Sequence, residues 1–168
     1  MNKMRRSDRQ ITDFNEILNF VDSCTTIRVG VLDEKCPYII PLSFGFEAVG
    51  DEFIFYIHSA AKGKKVDLFS KYSNVCVETD LCNGYVNLND GVTTDYFSFI
   101  GFGEIRLCNG AEKIKGLDLI MKHCGYEGFP DGKCDMLEIT NVYKITVAEY
   151  TAKKRFDQNF CMQKLTVL

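Results

Sequence analysis

Residues 36–47, CPYIIPLSFGFE, decide the fold, because they combine strand-forming side chains with two prolines. The β-branched and aromatic residues predict an extended strand. Pro37 and Pro41 have no N–H to donate to a sheet ladder, so we expect this strand to be bent, bulged or at a sheet edge. A bend of this kind leaves room for a ligand beside the backbone.

Five more strands are predicted around this stretch, with hairpin-length links between the early ones. Asp33-Glu34-Lys35 and residues 48–52 carry the turn signals. Gly101 and Gly103 suggest a bulge or tight curvature within one later strand. Short links require antiparallel pairing. The five strands are predicted at residues 25–33, 53–58, 74–80, 95–108 and 141–155.

Three helices complete the predicted architecture. In the first, Asp13 can cap the helix with Glu16 as its capping-box partner, and Phe14, Ile17, Leu18 and Val21 share one face. In the third, the apolar face is expected at Ile114, Leu117 and Met121. The sequence between these elements predicts loops at 81–94 and 126–136. Six antiparallel strands bury their apolar faces best as a small barrel covered by the helices, which are predicted at residues 12–23, 62–72 and 111–125.

The composition predicts one domain over residues 1–155, followed by a tail at 156–168 to which no role is assigned. The net charge of −3 argues against nucleic-acid binding, which usually needs a strongly basic face. No apolar run approaches the roughly 20 residues that a membrane span requires. The charged N-terminus MNKMRRSDRQ is not followed by the apolar segment of a secretory signal, so we expect a cytoplasmic protein.

The chain contains eight cysteines, and none of them forms a CxxC pair. The spacing therefore predicts no metal site, and a site assembled from distant cysteines has no support in the sequence. We expect small, mostly buried thiols in a reducing cytosol.

A second stretch, FIFYIHSAAKGKK at 53–65, has the residue types of a phosphate cradle. His58 and Ser59 can donate hydrogen bonds where the strand ends, and Tyr56 shares the strand face of His58. Lys64 and Lys65 enter a helix start, where free N–H groups and the dipole favour anions, and Gly63 permits close approach. Cations oppose the dipole at this position, and an anionic ligand would resolve that conflict. The alternative is a solvated lysine turn beside a hydrogen-bonded histidine.

The first stretch, residues 36–47, has residue types that could line a binding site for a flat ring. Pro41 breaks the ladder and frees a backbone group, Ser43 adds a hydroxyl, and Tyr38, Phe44 and Phe46 add aromatic area. The alternative is that these aromatic side chains form barrel core, which we favour for Phe46. A phosphate at one end and a planar ring at the other describe flavin mononucleotide (FMN).

The chain resembles the FMN-binding split-barrel superfamily that includes pyridoxamine 5′-phosphate oxidase, and within it the 5-nitroimidazole-resistance (Nim) proteins. The resemblance covers residues 4–155. It is carried jointly by MRRSDRQI, YIIPLSFGFE, FYIHSAAKGKK, FIGFGEIRL and TAKKR. The fold it implies is mainly β with α: a six-stranded antiparallel split β-barrel with flanking helices.

The resemblance also implies a homodimer with FMN at the subunit interface. His58 matches a histidine beside the flavin, so it is the expected catalytic side chain, by hydrogen bonding or proton supply. The cofactor-binding residues it implies are Pro41, Leu42, Ser43, Phe44, Tyr56, His58, Ser59, Lys64 and Lys65. Two departures stand out: Tyr96–Phe99 occupies the place of a family arginine, and Ala152 replaces a family glycine.

The implied function is a flavin-dependent oxidoreductase acting on a small molecule, with nitro reduction as one candidate activity. The sequence shows no site for a nicotinamide donor. One alternative is a flavin-binding module without turnover. Another is a haem-binding relative, for which His58 and His123 are the only histidines available; we expect His123 on a helix surface.

Overall fold

A computed structural model describes residues 4–126 and 137–156, and one antiparallel sheet forms its centre. A single turn of 3-10 helix, Ser7–Arg9, precedes the first strand. The helices are α1 (Phe14–Ser23), α2 (Lys64–Lys71) and α3 (Gly110–His123). The strands are β1 (Gln10–Ile11), β2 (Ile27–Val31), β3 (Tyr38–Leu42), β4 (Gly45–Val49), β5 (Glu52–Ala60), β6 (Asn74–Leu88), β7 (Gly91–Leu107) and β8 (Thr140–Lys154).

The two end strands of the sheet are joined by only two residues, Ser43 and Phe44. The strand order is β3-β2-β6-β7-β8-β5-β4, with β1 pairing to β8. The path from Leu42 to Gly45 cannot exceed about 11 Å, because each residue extends the chain by at most roughly 3.6 Å. The sheet must therefore curl until its edges meet, although β3 and β4 do not pair with each other. This open, curled sheet confirms the predicted β-rich split barrel with flanking helices.

The strand predicted at 36–47 is two strands, because the chain crosses from one sheet edge to the other after Leu42. Pro41 lies in edge strand β3 opposite Arg28 of β2. An edge strand has a free side, so a missing N–H is tolerated there. The edge position predicted from the prolines is confirmed.

The loop predicted at 81–94 is wrong, because β6 and β7 continue through it as a long hairpin. Their pairing runs to Leu88 opposite Gly91, leaving Asn89 and Asp90 as the turn, with an irregularity between Cys82 and Gly84. Continuous cross-strand pairing outweighs the low strand propensity of the asparagines and glycines here. The described sheet has eight strands rather than six, because β1 is added and the strand predicted at 36–47 is divided into β3 and β4.

The irregularity predicted near Gly101 and Gly103 is confirmed, since the β7–β8 register shifts between Phe102 and Gly103. The predicted loop at 126–136 lies, apart from Tyr126, outside the described residues. The same holds for the tail beyond Phe156. No helix in the described part of the chain is long and apolar enough to cross a membrane.

Helix α1 closes one end of the barrel core. The Asp13 side chain accepts a hydrogen bond from the Glu16 N–H at 3.1 Å, which confirms the predicted cap. The Glu16 carboxylate instead accepts a bond from Lys154 at 2.6 Å. Phe20 is fully buried and stacks on Phe97. The core that α1 covers includes the fully buried residues Val29, Phe44, Phe53, Phe55, Val77, Phe99, Ile145 and Val147.

Helix α3 packs on the outer side of β4 and β5 over a second, smaller cluster. Leu117 and Ile120 point inward, whereas Ile114 is 44% exposed. The buried face of α3 is therefore offset by part of a turn from the predicted apolar face. A Cβ atom on Gly45 would lie 2.3 Å from the carbonyl carbon of Leu119. The α3 backbone therefore rests directly on β4, immediately after the two-residue connection.

We expect Gly45→Ala to lower the free energy of unfolding by about 1–3 kcal/mol, because the helix and strand backbones would have to separate. Urea unfolding measures this loss. Gly30→Ala is the matched control, since its Cβ would meet nothing closer than 3.7 Å. Equal stability of the two variants would show that α3 does not depend on this close approach.

Candidate functional site

Most of the residues predicted to hold a cofactor lie on edge strand β3 or where β5 extends beyond its pairing with β4 and leads into α2. We call this region the seam: β3 (Tyr38–Leu42) and Ser43 form one side, and the end of β5 with the start of α2 (His58–Lys65) forms the other. Lys64 joins the two sides. Its Nζ lies 2.7 Å from Asp33 Oδ2, in the β2–β3 connection, and 4.8 Å from the centre of the Tyr38 ring.

The partner of Lys64 within this chain is Asp33. The hydrogen bond to Asp33 raises the pKa of Lys64, and the same bond lowers the pKa of Asp33. The sequence predicted a ligand anion at this position, and Asp33 was interpreted only as a turn residue. An exposed ion pair of this kind is weak, so a ligand anion can replace the carboxylate.

The start of α2 retains unused donors beside this ion pair. Gly63 is the N-cap, with φ +131° and no side chain to cap the helix, and its carbonyl accepts the Val66 N–H at 2.8 Å. The first N–H groups of a helix have no partner within the helix, and the dipole there favours negative charge. Lys65 is half-buried and Lys62 is exposed. The local geometry therefore suits an anionic group.

His58 and Ser59 end strand β5 beside these donors. His58 is exposed and lies opposite Val142 of β8, on the same strand face as Tyr56, as predicted. Partial burial lowers the pKa of His58, and the positive charge of Lys65 lowers it further. Ser59 is 5% exposed, and its hydroxyl donates to the Ala60 carbonyl at 2.8 Å. Its oxygen keeps lone pairs that can accept a further bond.

On the opposite side of the seam, strand β3 exposes backbone polar groups. Pro41 and Ser43 are exposed and Leu42 is half-buried. β3 pairs with β2 on one side, and within the described residues no strand pairs with its other side. The polar groups on that free side can therefore bind a ligand edge, while Leu42 offers apolar contact.

Two predicted contact residues have buried side chains that do not line the seam. Phe44 is fully buried in the barrel core, against Phe55. Tyr56 is 1% exposed beneath α3, and its hydroxyl donates to Glu47 at 2.9 Å. Burial, and then the Glu47 carboxylate, raises the pKa of Tyr56. Phe44 from the barrel core and Tyr56 from beneath α3 therefore pack behind the site rather than in it.

The position of His123 differs from the one predicted from the sequence. The expected helix-surface position is wrong: the ring is half-buried, and both ring nitrogens lie within hydrogen-bond distance of backbone carbonyls. Nδ1 is 2.7 Å from the Phe44 oxygen and Nε2 is 3.2 Å from the Asp22 oxygen. No periodicity could have located it, because its partners come from α1 and from the two-residue connection.

The cysteines only partly match the expectation of buried thiols. Cys24 and Cys108 are buried and Cys76 is half-buried, but three are exposed, because they lie in the β2–β3 connection, at the β6 irregularity and after α3: Cys36, Cys82 and Cys124. Burial raises the pKa of Cys24 to about 11. In residues 4–126 and 137–156, no three metal-binding side chains group together. Cys134 and Cys161 lie outside those ranges.

Two cavities formed by the described residues lie away from the seam. One of about 530 Å³ lies between the β1–α1 segment, the β4–β5 turn and β8, and no predicted cofactor residue lines it. Another, of about 220 Å³, is lined by Asp22, Phe46, Leu119, Lys122 and His123. The candidate site rests on the chemistry of the seam rather than on an enclosed cavity.

We expect Lys65→Gln to raise the pKa of His58, because it removes the positive charge that disfavours the imidazolium. An NMR titration of the His58 ring in the apoprotein measures the shift. Lys62→Gln is the control. A His58 pKa that moves equally in both variants, or falls in Lys65→Gln, would contradict this account.

Comparisons with known proteins agree with this architecture. The pyridoxamine 5′-phosphate oxidase family model matches residues 13–154. Among curated proteins, none matches. A structure described as a candidate 5-nitroimidazole antibiotic resistance protein of Bacteroides thetaiotaomicron VPI-5482 is 26% identical. It superposes with a TM-score of 0.74, covering 86% of this chain and 85% of that one.

Two more distant structures share the fold. The flavocytochrome Anf3 of Azotobacter vinelandii has a TM-score of 0.74 at 18% identity, covering 93% of this chain and 73% of its own. An FAD- and haem-binding protein of Mycobacterium smegmatis has a TM-score of 0.68 at 16% identity, covering 89% and 74%. The family match spans most of the described sheet, including both sides of the seam. The chain therefore belongs to the pyridoxamine 5′-phosphate oxidase family, with the split-barrel fold of that superfamily.

Proposed function

We propose that this chain binds FMN along the seam and acts as a flavin-dependent oxidoreductase that reduces nitro compounds. The observation that carries the proposal is the juxtaposition of a cationic, uncapped helix start with a free sheet edge. These are the two environments that a phosphate and a planar heterocycle need. The likeness to the Bacteroides protein supports the nitro-compound assignment.

The spacing along the seam fits such a ligand. Lys64 contacts Tyr38 at the first residue of β3, and the edge reaches Leu42 four residues later. At roughly 3.3 Å per residue, about 13 Å separates the two ends. Lys64, Lys65 and the α2 N–H groups would hold the phosphate, and backbone groups from Pro41 to Ser43 would hold the ring. One cationic cluster suits one phosphate, which favours FMN over FAD.

A flavin, when bound, supplies the two-electron chemistry. Hydrogen bonding and proton exchange would come from the chain itself, through the His58 ring. Its lowered pKa favours the neutral ring, which donates one hydrogen bond and accepts another. At the mouth of the seam, this ring can orient a polar group and exchange a proton with it. Asp33 keeps Lys64 directed across the seam until a phosphate takes its place.

We also propose a homodimer that covers the seam. Ile39, Gly30, Cys76 and Phe102 are cross-strand neighbours on the outer face of the sheet. Ile39 is 62% exposed and Phe102 is 53% exposed. A row of apolar residues on an outer face marks an interaction surface. A second copy of the chain packed here would bury the row beside β3.

Haem binding is an alternative to flavin binding, because a histidine can ligate haem iron. Both ring nitrogens of His123 are engaged with carbonyls, so the histidine available to bind iron would be His58. An exposed imidazole at the end of a strand could bind haem iron. A third possibility is flavin binding without turnover. It would differ from the proposed function only in that the bound flavin does not reduce a substrate.

The first experiment is a titration of the purified chain with FMN, FAD and haem, followed by visible absorbance. We expect one FMN per chain and weaker FAD binding. The loaded protein is then reduced without oxygen and mixed with a nitroimidazole. Reoxidation of the flavin with loss of the nitro absorbance supports the reductase. Flavin that binds but stays reduced indicates a binding module, and haem in place of flavin overturns the proposal.

We expect Lys64→Ala to weaken FMN binding by about 1.5–3 kcal/mol, because a charge-assisted bond to phosphate is lost. Isothermal titration of FMN measures this change. Asp33→Asn should strengthen binding, because it releases Lys64 from its ion pair. Lys71→Ala, at the other end of α2, is the control. Unchanged FMN affinity in Lys64→Ala would remove this residue from the site.

We expect Phe102→Lys to convert a dimer into a monomer, because two charges would be buried at a symmetric contact. Light scattering coupled to size exclusion measures the mass. Val92→Lys is the control: Val92 is 67% exposed, in the β6–β7 hairpin outside this row. A dimer that persists in Phe102→Lys would exclude this face.

A further inference from the structure

Strand β8 changes its neighbour partway along its length, and this leaves a gap in the sheet. Its first half pairs with β5 as far as Val147 opposite Phe53, and its end pairs with β1 from Ala152 opposite Ile11. Between these contacts, β8 pairs with β7 on one side only. No strand in the described chain pairs with the other side of residues 148–151. At roughly 3.3 Å per residue, this free edge is about 13 Å long.

The cavity of about 530 Å³ lies at this gap. It is lined by residues 148–152 of β8, by Thr12 before α1 and by Asp51 in the β4–β5 turn. The buried residues Ile11 and Ile17 add apolar surface to its wall. Sites for small molecules occupy roughly 300–1,000 Å³ and combine apolar walls with a few polar groups. The gap therefore has the volume and the mixed lining of a small-molecule site.

The polar side chains that line this cavity are not used by the fold. Within residues 4–126 and 137–156, none of them forms a hydrogen bond or an ion pair with another protein group. Each has an oxygen that can accept a hydrogen bond. They come from three separate parts of the chain: Gln10, Thr12, Asp51, Glu149, Tyr150 and Thr151.

The charge of the lining selects a cation. Asp51 and Glu149 supply two carboxylates from different elements, and no described lysine, arginine or histidine lines the cavity. The nearby Lys154 is bonded to Glu16. Burial, and then the charge of Asp51, raises the pKa of Tyr150, so its phenol stays neutral. An anion such as a flavin phosphate is repelled here, whereas a positively charged ligand is attracted.

We propose that the gap between β5 and β1 is a second binding site, separate from the seam, for a small aliphatic amine with two ammonium groups. Ammonium groups only donate hydrogen bonds, which matches a lining whose charged groups only accept them. Two carboxylates on different elements favour two positive charges over one. The methylene chain between the charges lies against Ile11 and Ile17. This site does not depend on flavin binding.

The ligand chemistry is tested by titrating the apoprotein with three compounds of the same chain length, followed by ¹H–¹⁵N NMR. Putrescine has two ammonium groups, n-butylamine has one and 1,4-butanediol has none. We expect saturable shifts of the amides at residues 10–12, 50–52 and 148–152, with the highest affinity for putrescine and no saturable shift with the diol. The proposal is overturned if the diol binds as well as putrescine, or if putrescine shifts none of these amides.

The two carboxylates are tested by removing their charges one at a time. We expect Asp51→Asn and Glu149→Gln each to weaken putrescine binding about fivefold, as for the loss of one solvent-accessible ion pair. The matched controls are Asp90→Asn in the β6–β7 turn and Glu104→Gln on β7, since both acids are exposed and lie outside the cavity. An equal loss in the controls would assign the effect to net charge and overturn the site.

Two further titrations separate this site from a general cation surface and from the seam. Magnesium chloride is added at the ionic strength of the putrescine titration, and we expect it not to reproduce the saturable shifts. Putrescine is then titrated in the presence of FMN, and we expect its affinity to be unchanged. Equal binding of Mg²⁺ at the same amides, or displacement of putrescine by FMN, would overturn the proposal.

Discussion

The constraint on which this structure depends is the length of one connection. Ser43 and Phe44 are the only residues between the two end strands of a seven-strand path, so the sheet cannot remain open and flat. Because the edges meet without pairing, each keeps a free side. The seam is the consequence: a place where backbone polar groups stay available in an otherwise closed sheet. A fully paired barrel would offer no such edge.

Several independent contacts hold the connection in place. Phe44 is buried in the barrel core, Gly45 lies against the α3 backbone, and His123 contacts the Phe44 carbonyl. At the far end of β3, the Lys64–Asp33 ion pair joins the two sides of the seam. The core anchors are buried and strong, whereas the ion pair is exposed and exchangeable. The seam is therefore rigid where a ring would rest and adaptable where a phosphate would enter.

The sequence was sufficient for those features that local chemistry controls. The prolines located an edge strand, Asp13 located the start of α1, and the lysines with Gly63 located the cationic helix start. It was insufficient where pairing across the sheet decides the outcome. The asparagine- and glycine-rich segment at 81–94 stays extended only because each strand has the other as its partner. Likewise, one predicted strand became two because the chain changes sheet edge after Leu42.

For the candidate site too, the sequence was sufficient for residues whose own chemistry indicates their role and insufficient for residues whose role depends on distant neighbours. The residues near Lys64 and His58 could be selected from sequence, since their types already indicate anion binding and proton exchange. Asp33 and His123 could not, because their importance comes from neighbours distant in the chain. Burial also changes the roles of Phe44 and Tyr56, whose aromatic rings looked available in the sequence and support the seam from within.

The location of the ligand is the central claim, and backbone amide exchange of the apoprotein with and without FMN tests it most directly. The account predicts new protection at residues 38–43 and 58–66, on the two sides of the seam. The turn between β6 and β7, at 88–91, should be unchanged. Protection confined to residues 10–12 and 148–152, around the 530 Å³ cavity, would place the ligand elsewhere and contradict the account.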